Sequence, residues 1–123
     1  MTAHLYSAAH PSQKNKDFVA AYKKAFNQRP GFMAVGGYDG IHLIYEAVKK
    51  SEGKTDGDSL LAAMKGMAWE SPRGPISIDP DTRDIIQNVY IRKVEKKADG
   101  KLWNVEFQTF EAVKDSGKTP PAK

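Results

Sequence analysis

The sequence predicts three helices followed by a small β hairpin, an order that suits a small α+β body rather than the alternation of a self-contained α/β domain. Three observations carry this. Apolar residues recur at helical spacing through the first half. From Gly74 the period drops to two. Glycine, proline and aspartate punctuate the joins.

The segment Ala3 to Ala8 is short, is bounded by His10-Pro11, and reads as a strand leading into a loop. A helix follows, with Asn15 as its N-cap and Asp17 in its first turn. Phe18, Ala21, Tyr22, Ala25 and Phe26 share one apolar face; Lys16, Lys23, Lys24 and Asn27 lie off it. Pro30-Gly31 stops this helix. A second helix spans about Phe32 to Lys50. Its early part carries Gly36, Gly37 and Gly40, each costing up to about 1 kcal/mol relative to alanine. Tight packing against a neighbour is the first explanation, approach to a ligand or hinge the second. Further on, Ile41, Ile44, Tyr45 and Val48 make an apolar face wide enough to imply burial on more than one side, and Glu52-Gly53 ends the helix.

Thr55 with Asp58 resembles a capping box. It opens a third helix over about Gly57 to Lys65, with Leu60, Leu61 and Met64 inward and Gly66 as the stop. Trp69 to Arg73 reads as a loop. Ile76 and Ile78 alternate with Ser77, Asp79-Pro80-Asp81 is turn chemistry, and Ile85 to Val94 is a strand. Ala98-Asp99-Gly100 holds an Asp-Gly hairpin signal. Beyond it, Trp103, Val105 and Phe107 form a dry face and Asn104, Glu106 and Gln108 a wet one. The tail after Val113 is polar and proline-rich, the composition of a frayed end. Three helices and a hairpin can make a small body, but the second helix is more apolar than that body can cover.

Composition narrows the function. At 123 residues, 40% apolar and 28% charged, the chain has the make-up of one soluble globular domain. No stretch approaches the roughly 20 apolar residues of a membrane span. Met1 to Ser12 lacks a basic region followed by an apolar core, so it is not read as a signal peptide. Cysteine is absent, which removes disulfides and thiolate metal sites. The net charge is +4, but the basic residues are interspersed with acids, so solvated surface is the reading and no nucleic-acid partner is expected. His4, His10 and His42 share no helical face with a carboxylate at ligand spacing and read as ordinary surface or packed histidines. Asp79, Asp81 and Asp84 lack the order of a calcium loop and read as a solvated turn. No Gly-x-Ser-x-Gly elbow and no complete phosphate-binding glycine pattern occurs. The chain is read as a non-enzyme with no cofactor and no metal.

A family resemblance rests on particular runs. Asn15 to Lys24 (NKDFVAAYKK), Arg29-Pro30-Gly31, Gly36-Gly37-Tyr38-Asp39-Gly40 and Glu46 to Lys50 are similar, in that order, to the extracytoplasmic Leu/Ile/Val-binding receptors of ABC importers. Asp58 to Gly66, Gly74 to Asp79, Val89 to Val94 and Val105 to Phe110 resemble their later segments. The resemblance implies a periplasmic-binding-protein type I fold, two α/β lobes around a ligand cleft, of which this is the C-terminal part, incomplete alone. Residues 1–8 would end a second-lobe strand, 9–78 form the helical part of the first lobe, 79–113 supply closing strands of the second lobe, and 114–123 form a polar tail. Ala8 to Pro11 and Ile78 to Asp84 would be hinges. Met33, in preference to Phe32, would face the ligand's apolar part, and Tyr38, about one turn later, is the third candidate. The implied role is capture of a small hydrophobic amino acid or related organic acid outside the cytoplasm, in the periplasm, for a membrane permease. The uncovered helix faces would favour self-association. A ligand-sensing regulatory module of the same fold and a small basic interaction protein are the alternative readings.

Overall fold

Ser12, extended and just ahead of the first helix, accepts the Asn15 N–H at 3.1 Å and so caps α1 (Gln13–Phe26). The cap is therefore not Asn15, whose side chain is spent elsewhere. Asn15 is 1% exposed; it accepts from the Tyr6 hydroxyl at 2.9 Å and donates to the carbonyls of Ala8 and His10. Asp17 lies beyond the first turn. In the computed structural model residues 1–117 are described; of the predicted tail, residues 118–123 lie outside the described residues.

Helix α2 runs Phe32–Lys50 and α3 runs Gly57–Met64. Asp56, not a Thr55–Asp58 box, caps α3: its carboxylate accepts the Ser59 N–H at 2.9 Å. The strands are β1 (Thr2–His4), β2 (Ala68–Ser71), β3 (Gly74–Ile78), β4 (Ile85–Lys96) and β5 (Leu102–Val113). The predicted first strand is thus shorter and earlier than Ala3 to Ala8, and most of the predicted loop Trp69 to Arg73 is strand β2. Its alternation was hidden because Glu70 and Pro75 pair on an exposed edge.

The hairpin expected at the end of the chain is one corner of a five-stranded antiparallel sheet. β4 is its centre. Gln87 pairs with Ile76 on one side and Val113 on the other; Arg92 pairs with Thr2 and Glu106. Hence β1 and β3 share one edge of β4 and β5 lines the other.

β5 also departs from simple alternation. Ile91 pairs with Gln108 but Arg92 with Glu106, so Phe107 is an extra residue. The bulge turns Phe107 outward, 50% exposed, and carries Glu106 inward, its side chain 10% exposed. The wet and dry faces expected for residues 103–108 therefore exchange at this point.

The core is small: Tyr6, Val35, Ala47, Ile76 and Tyr90 are its best-buried apolar members. Much of the predicted apolar surface is open. Phe26, Ile41, Ile44, Tyr45 and Leu61 are all exposed. Gly36, Gly37 and Gly40 are exposed too, and a Cβ placed on any of them would meet nothing within 4 Å. The expectation of tight packing at these glycines is corrected for the described residues: that face of α2 has no neighbour.

Candidate functional site

Four parts of the chain converge on a groove of about 250 Å³, open to one side. β1 and the residues after it supply His4 and Tyr6. The turn into α2 supplies Arg29 and Phe32. β4 and β5 supply Arg92 and Trp103. The β1–β4 register sets the first relationship. His4 lies opposite Tyr90 and Thr2 opposite Arg92, so His4 and Arg92 are diagonal neighbours on one sheet face.

Each side chain is held by a specific contact. Arg92 donates from Nη1 to the Tyr6 carbonyl and from Nε and Nη2 to Thr2 Oγ1. Tyr6 N–H donates to His4 Nδ1 at 3.2 Å, which places the proton of the neutral ring on Nε2. The His4 ring meets Phe32 edge-on, centroids 5.3 Å apart. The Arg29 guanidinium lies 3.7 Å from the Trp103 ring centroid and donates from Nη1 to the Leu102 carbonyl at 2.8 Å. Asp99 holds Trp103 from the other end through its indole N–H.

Charge is one-sided here. Among the described residues no aspartate or glutamate lines the groove, and neither Arg29 nor Arg92 is ion-paired with a carboxylate. Burial lowers the His4 pKa, with the Arg92 charge adding to it, so the imidazole is neutral at pH 7. Burial also lowers the pKa of Arg92, with Glu106 opposing. A wider depression of about 670 Å³ lies over Met67, Trp69 and the outer face of α2. There Lys49 Nζ stands 2.6 Å from Glu46 Oε1, and Lys50 Nζ donates to the Ala63 carbonyl at 3.0 Å.

Of the three residues the sequence points to, Phe32 lines the groove. Met33 is next to it, 76% exposed on the first turn of α2. Tyr38 is elsewhere: Phe18 meets it edge-on at 5.2 Å and His42 stacks on it, 2° from parallel. His4, Arg29, Arg92 and Trp103 were not legible as a set. Their proximity depends on the pairing of β1 with β4, between residues about 90 apart. The only trace in the sequence is Arg29 standing just before the Pro-Gly helix stop.

Two polar clusters lie outside the groove. Asp39, 4% exposed on α2, accepts from Ser71 Oγ and Arg73 Nε, each at 2.9 Å, and from Trp69 Nε1 at 3.3 Å. Asp79 is buried rather than part of a solvated turn; it accepts the N–H groups of Asp81 and Thr82 and pairs with Lys114. Among the described residues no group of three or more candidate ligands is arranged to hold a metal ion, and no helix is long and apolar enough to cross a membrane.

Comparison with known proteins settles the ancestry. The sequence model of a family described as periplasmic binding protein matches residues 1–101. This chain belongs to the periplasmic binding protein family. The Leu/Ile/Val-binding protein homolog 6 of Brucella abortus is 44% identical to it over 119 residues, covering 95% of this chain and 30% of the relative. A solute binding protein of an ABC transporter from Rhodopseudomonas palustris BisB5, solved in complex with 3,4-dihydroxy benzoic acid, is 78% identical with a TM-score of 0.93; the match covers 96% of this chain and 32% of that one. Another, from R. palustris HaA2 and solved with p-hydroxybenzoic acid, is 46% identical with a TM-score of 0.86, over 94% and 32% of the two chains. The two R. palustris relatives are solute-binding proteins of ABC transporters. This periplasmic-binding-protein chain spans about a third of their length, and its helices and sheet are a fragment of their fold.

Proposed function

We propose that this chain is part of a two-lobed receptor that captures a small aromatic carboxylic acid and presents it to the membrane permease of an ABC importer, outside the cytoplasm. Of the two solute classes the sequence suggests, the organic acid is the better supported. One observation carries the choice. An amino acid brings an ammonium group that needs an acidic partner, and the groove offers arginines, a neutral histidine and aromatic rings without a carboxylate among the described residues. The solutes bound by the two R. palustris relatives are hydroxybenzoic acids. The name of the Brucella relatives supports the amino-acid reading instead.

In this reading residues 1–8 and 79–113 belong to one lobe and 9–78 to the other, with Ala8 to Pro11 and Ile78 to Asp84 as hinge segments. Closure is a hinge motion biased by contacts the solute makes in the closed state. Phe32 and Met33 give the solute apolar contact, and Tyr38 supports α2 behind them. The open faces of α1, α2 and α3 are covered by the rest of the protein and favour self-association when it is missing.

A thermal-shift series on this chain and on the complete protein tests the proposal. A solute at a hundred times its Kd stabilises the folded state by about 2.7 kcal/mol. The expected outcome is a rise in Tm of the complete protein with 3,4-dihydroxybenzoate and a much smaller one for the chain alone. Equal rises in both would refute the need for two lobes. A rise with leucine and none with aromatic acids would refute the solute class.

A further inference from the structure

We propose that His4 and Arg92 form a carboxylate grip in the groove, holding the acid group of a small aromatic acid while Phe32 and Trp103 flank its ring. The inference rests on the aromatic-acid reading for the choice of ligand, and on the following geometry for the residues.

The two side chains are aimed together by the sheet. Diagonal neighbours on one face of an antiparallel pair have Cα atoms about 7–8 Å apart, enough for one carboxylate between their tips. His4 and Arg92 stand in that relation and line the same groove. Each is also oriented before any ligand arrives. Tyr6 N–H occupies His4 Nδ1, so the Nε2–H is the donor left to a ligand. The Arg92 bonds to Tyr6 O and Thr2 Oγ1 use three of the five N–H groups of a guanidinium, and the remaining ones can serve an anion.

One carboxylate faces Arg92 from outside the groove. Glu106 is the acidic residue nearest in register, directly opposite Arg92 on β5. Its Oε2, however, lies 2.7 Å from His10 Nδ1, and Glu106 does not line the groove. Arg29 adds a second positive charge from the far wall, where Trp103 and the Leu102 carbonyl hold it. Phe32 and Trp103 both line the groove, so its walls offer aromatic surface to a ring. A neutral histidine N–H beside an arginine can bond a carboxylate oxygen without repelling the guanidinium.

The test is a binding titration of the complete protein with benzoate, with benzamide as the neutral isostere, followed by the His4 ring and Trp103 indole NMR resonances. Benzoate is expected to shift both saturably, and benzamide to bind at least about tenfold more weakly, as befits loss of charge-assisted bonds. Arg92→Gln and His4→Phe are each expected to weaken benzoate about tenfold or more and to change benzamide little. His4→Phe keeps a ring against Phe32, and circular dichroism reports whether Arg92→Gln still folds. Should it not, Arg92→Lys, which keeps the charge and loses the fork, is expected to weaken benzoate by an intermediate factor. Unshifted resonances, or equal affinity for benzoate and benzamide, would overturn the grip. So would wild-type affinity in the His4 and Arg92 variants. The importer reading fails separately: a protein that captures another solute while ignoring benzoate ends the grip alone. Shifted His4 and Trp103 signals in a protein that delivers no solute to a permease would end that reading alone.

Discussion

His10 Nδ1 lies 2.7 Å from Glu106 Oε2, and this pair fastens the segment between β1 and α1 to strand β5. Both side chains are nearly buried, and the Tyr90 ring packs on His10 with centroids 5.0 Å apart. The other Glu106 oxygen is buried and makes no hydrogen bond among the described residues. The contact joins a proposed hinge segment to the strands that would close the second lobe.

Truncating one partner leaves the other stranded. His10→Ala is expected to destabilise by about 3 kcal/mol, because a buried carboxylate loses its partner. Glu106→Gln, which removes the charge but keeps the shape, should cost less. Urea unfolding of the three proteins measures both. A His10→Ala cost below that of Glu106→Gln would contradict the role given to the pair.

Asp39 and Arg73 make the second test. Arg73 also donates from Nη1 to Gln87 at 2.7 Å, and its carbonyl accepts from the Tyr90 hydroxyl at 2.6 Å, so the ion pair ties α2 to the β2–β3 turn and to β4. Asp39→Ala should cost about 3–5 kcal/mol. Asp39→Leu with Arg73→Met should cost less than the sum of the single changes, since no buried charge is then left alone. A double-mutant cycle by denaturant melts decides; simple additivity would mean that the two do not act as a pair.

The open face of α2 predicts opposite outcomes in two settings. Gly40→Ala should stabilise the 123-residue chain by up to about 1 kcal/mol, through helix propensity alone. In the longer protein proposed above, whose remaining part would cover this face, the same change should give no gain. The chain alone should also self-associate in sedimentation runs, and Ile44→Lys should reduce this. A clean monomer, or equal Gly40→Ala gains in both settings, would argue that nothing covers the face.

Acid stability has a defined sign at two groups. The folded pKa of His4 is lowered from 6.5 by burial and by Arg92, so the unfolded state takes up protons first as pH falls. Its contribution to stability is full above about pH 6.5 and declines as pH drops below that value. Asp79 is lowered from 3.8 by the Asp81 N–H, Lys114 and the Thr82 N–H. Its contribution is present above the unfolded value and is lost as pH falls through the folded one. The Tm of wild type relative to that of His4→Phe should therefore fall as pH drops from 7.5 to 4.5. A wild-type Tm that rises relative to the variant's with acid would contradict the sign.

Much of the fold was readable because it is local. The periodicity of Phe32 to Lys50 and the Asp-Gly signal at residues 99–100 need only near neighbours, and α2 and the β4–β5 turn stand where they point. Caps were misplaced by one to three residues because Asn15 and Thr55 are as suitable chemically as Ser12 and Asp56. Only tertiary demand on Asn15 from Tyr6, Ala8 and His10 decides the first case. The exchange of faces at Phe107 was hidden because a bulge is a property of two strands. The groove was least legible, since His4 and Arg92 meet only through sheet register. The excess apolarity of α2, by contrast, was visible from the sequence and remains visible as exposed Ile41, Ile44 and Tyr45.

The most direct test of the account is calorimetry on the complete protein with 3,4-dihydroxybenzoate and, separately, with leucine. The account predicts saturable one-to-one binding of the aromatic acid and no heat from leucine beyond dilution. Tight binding of leucine with no binding of the aromatic acid would contradict it.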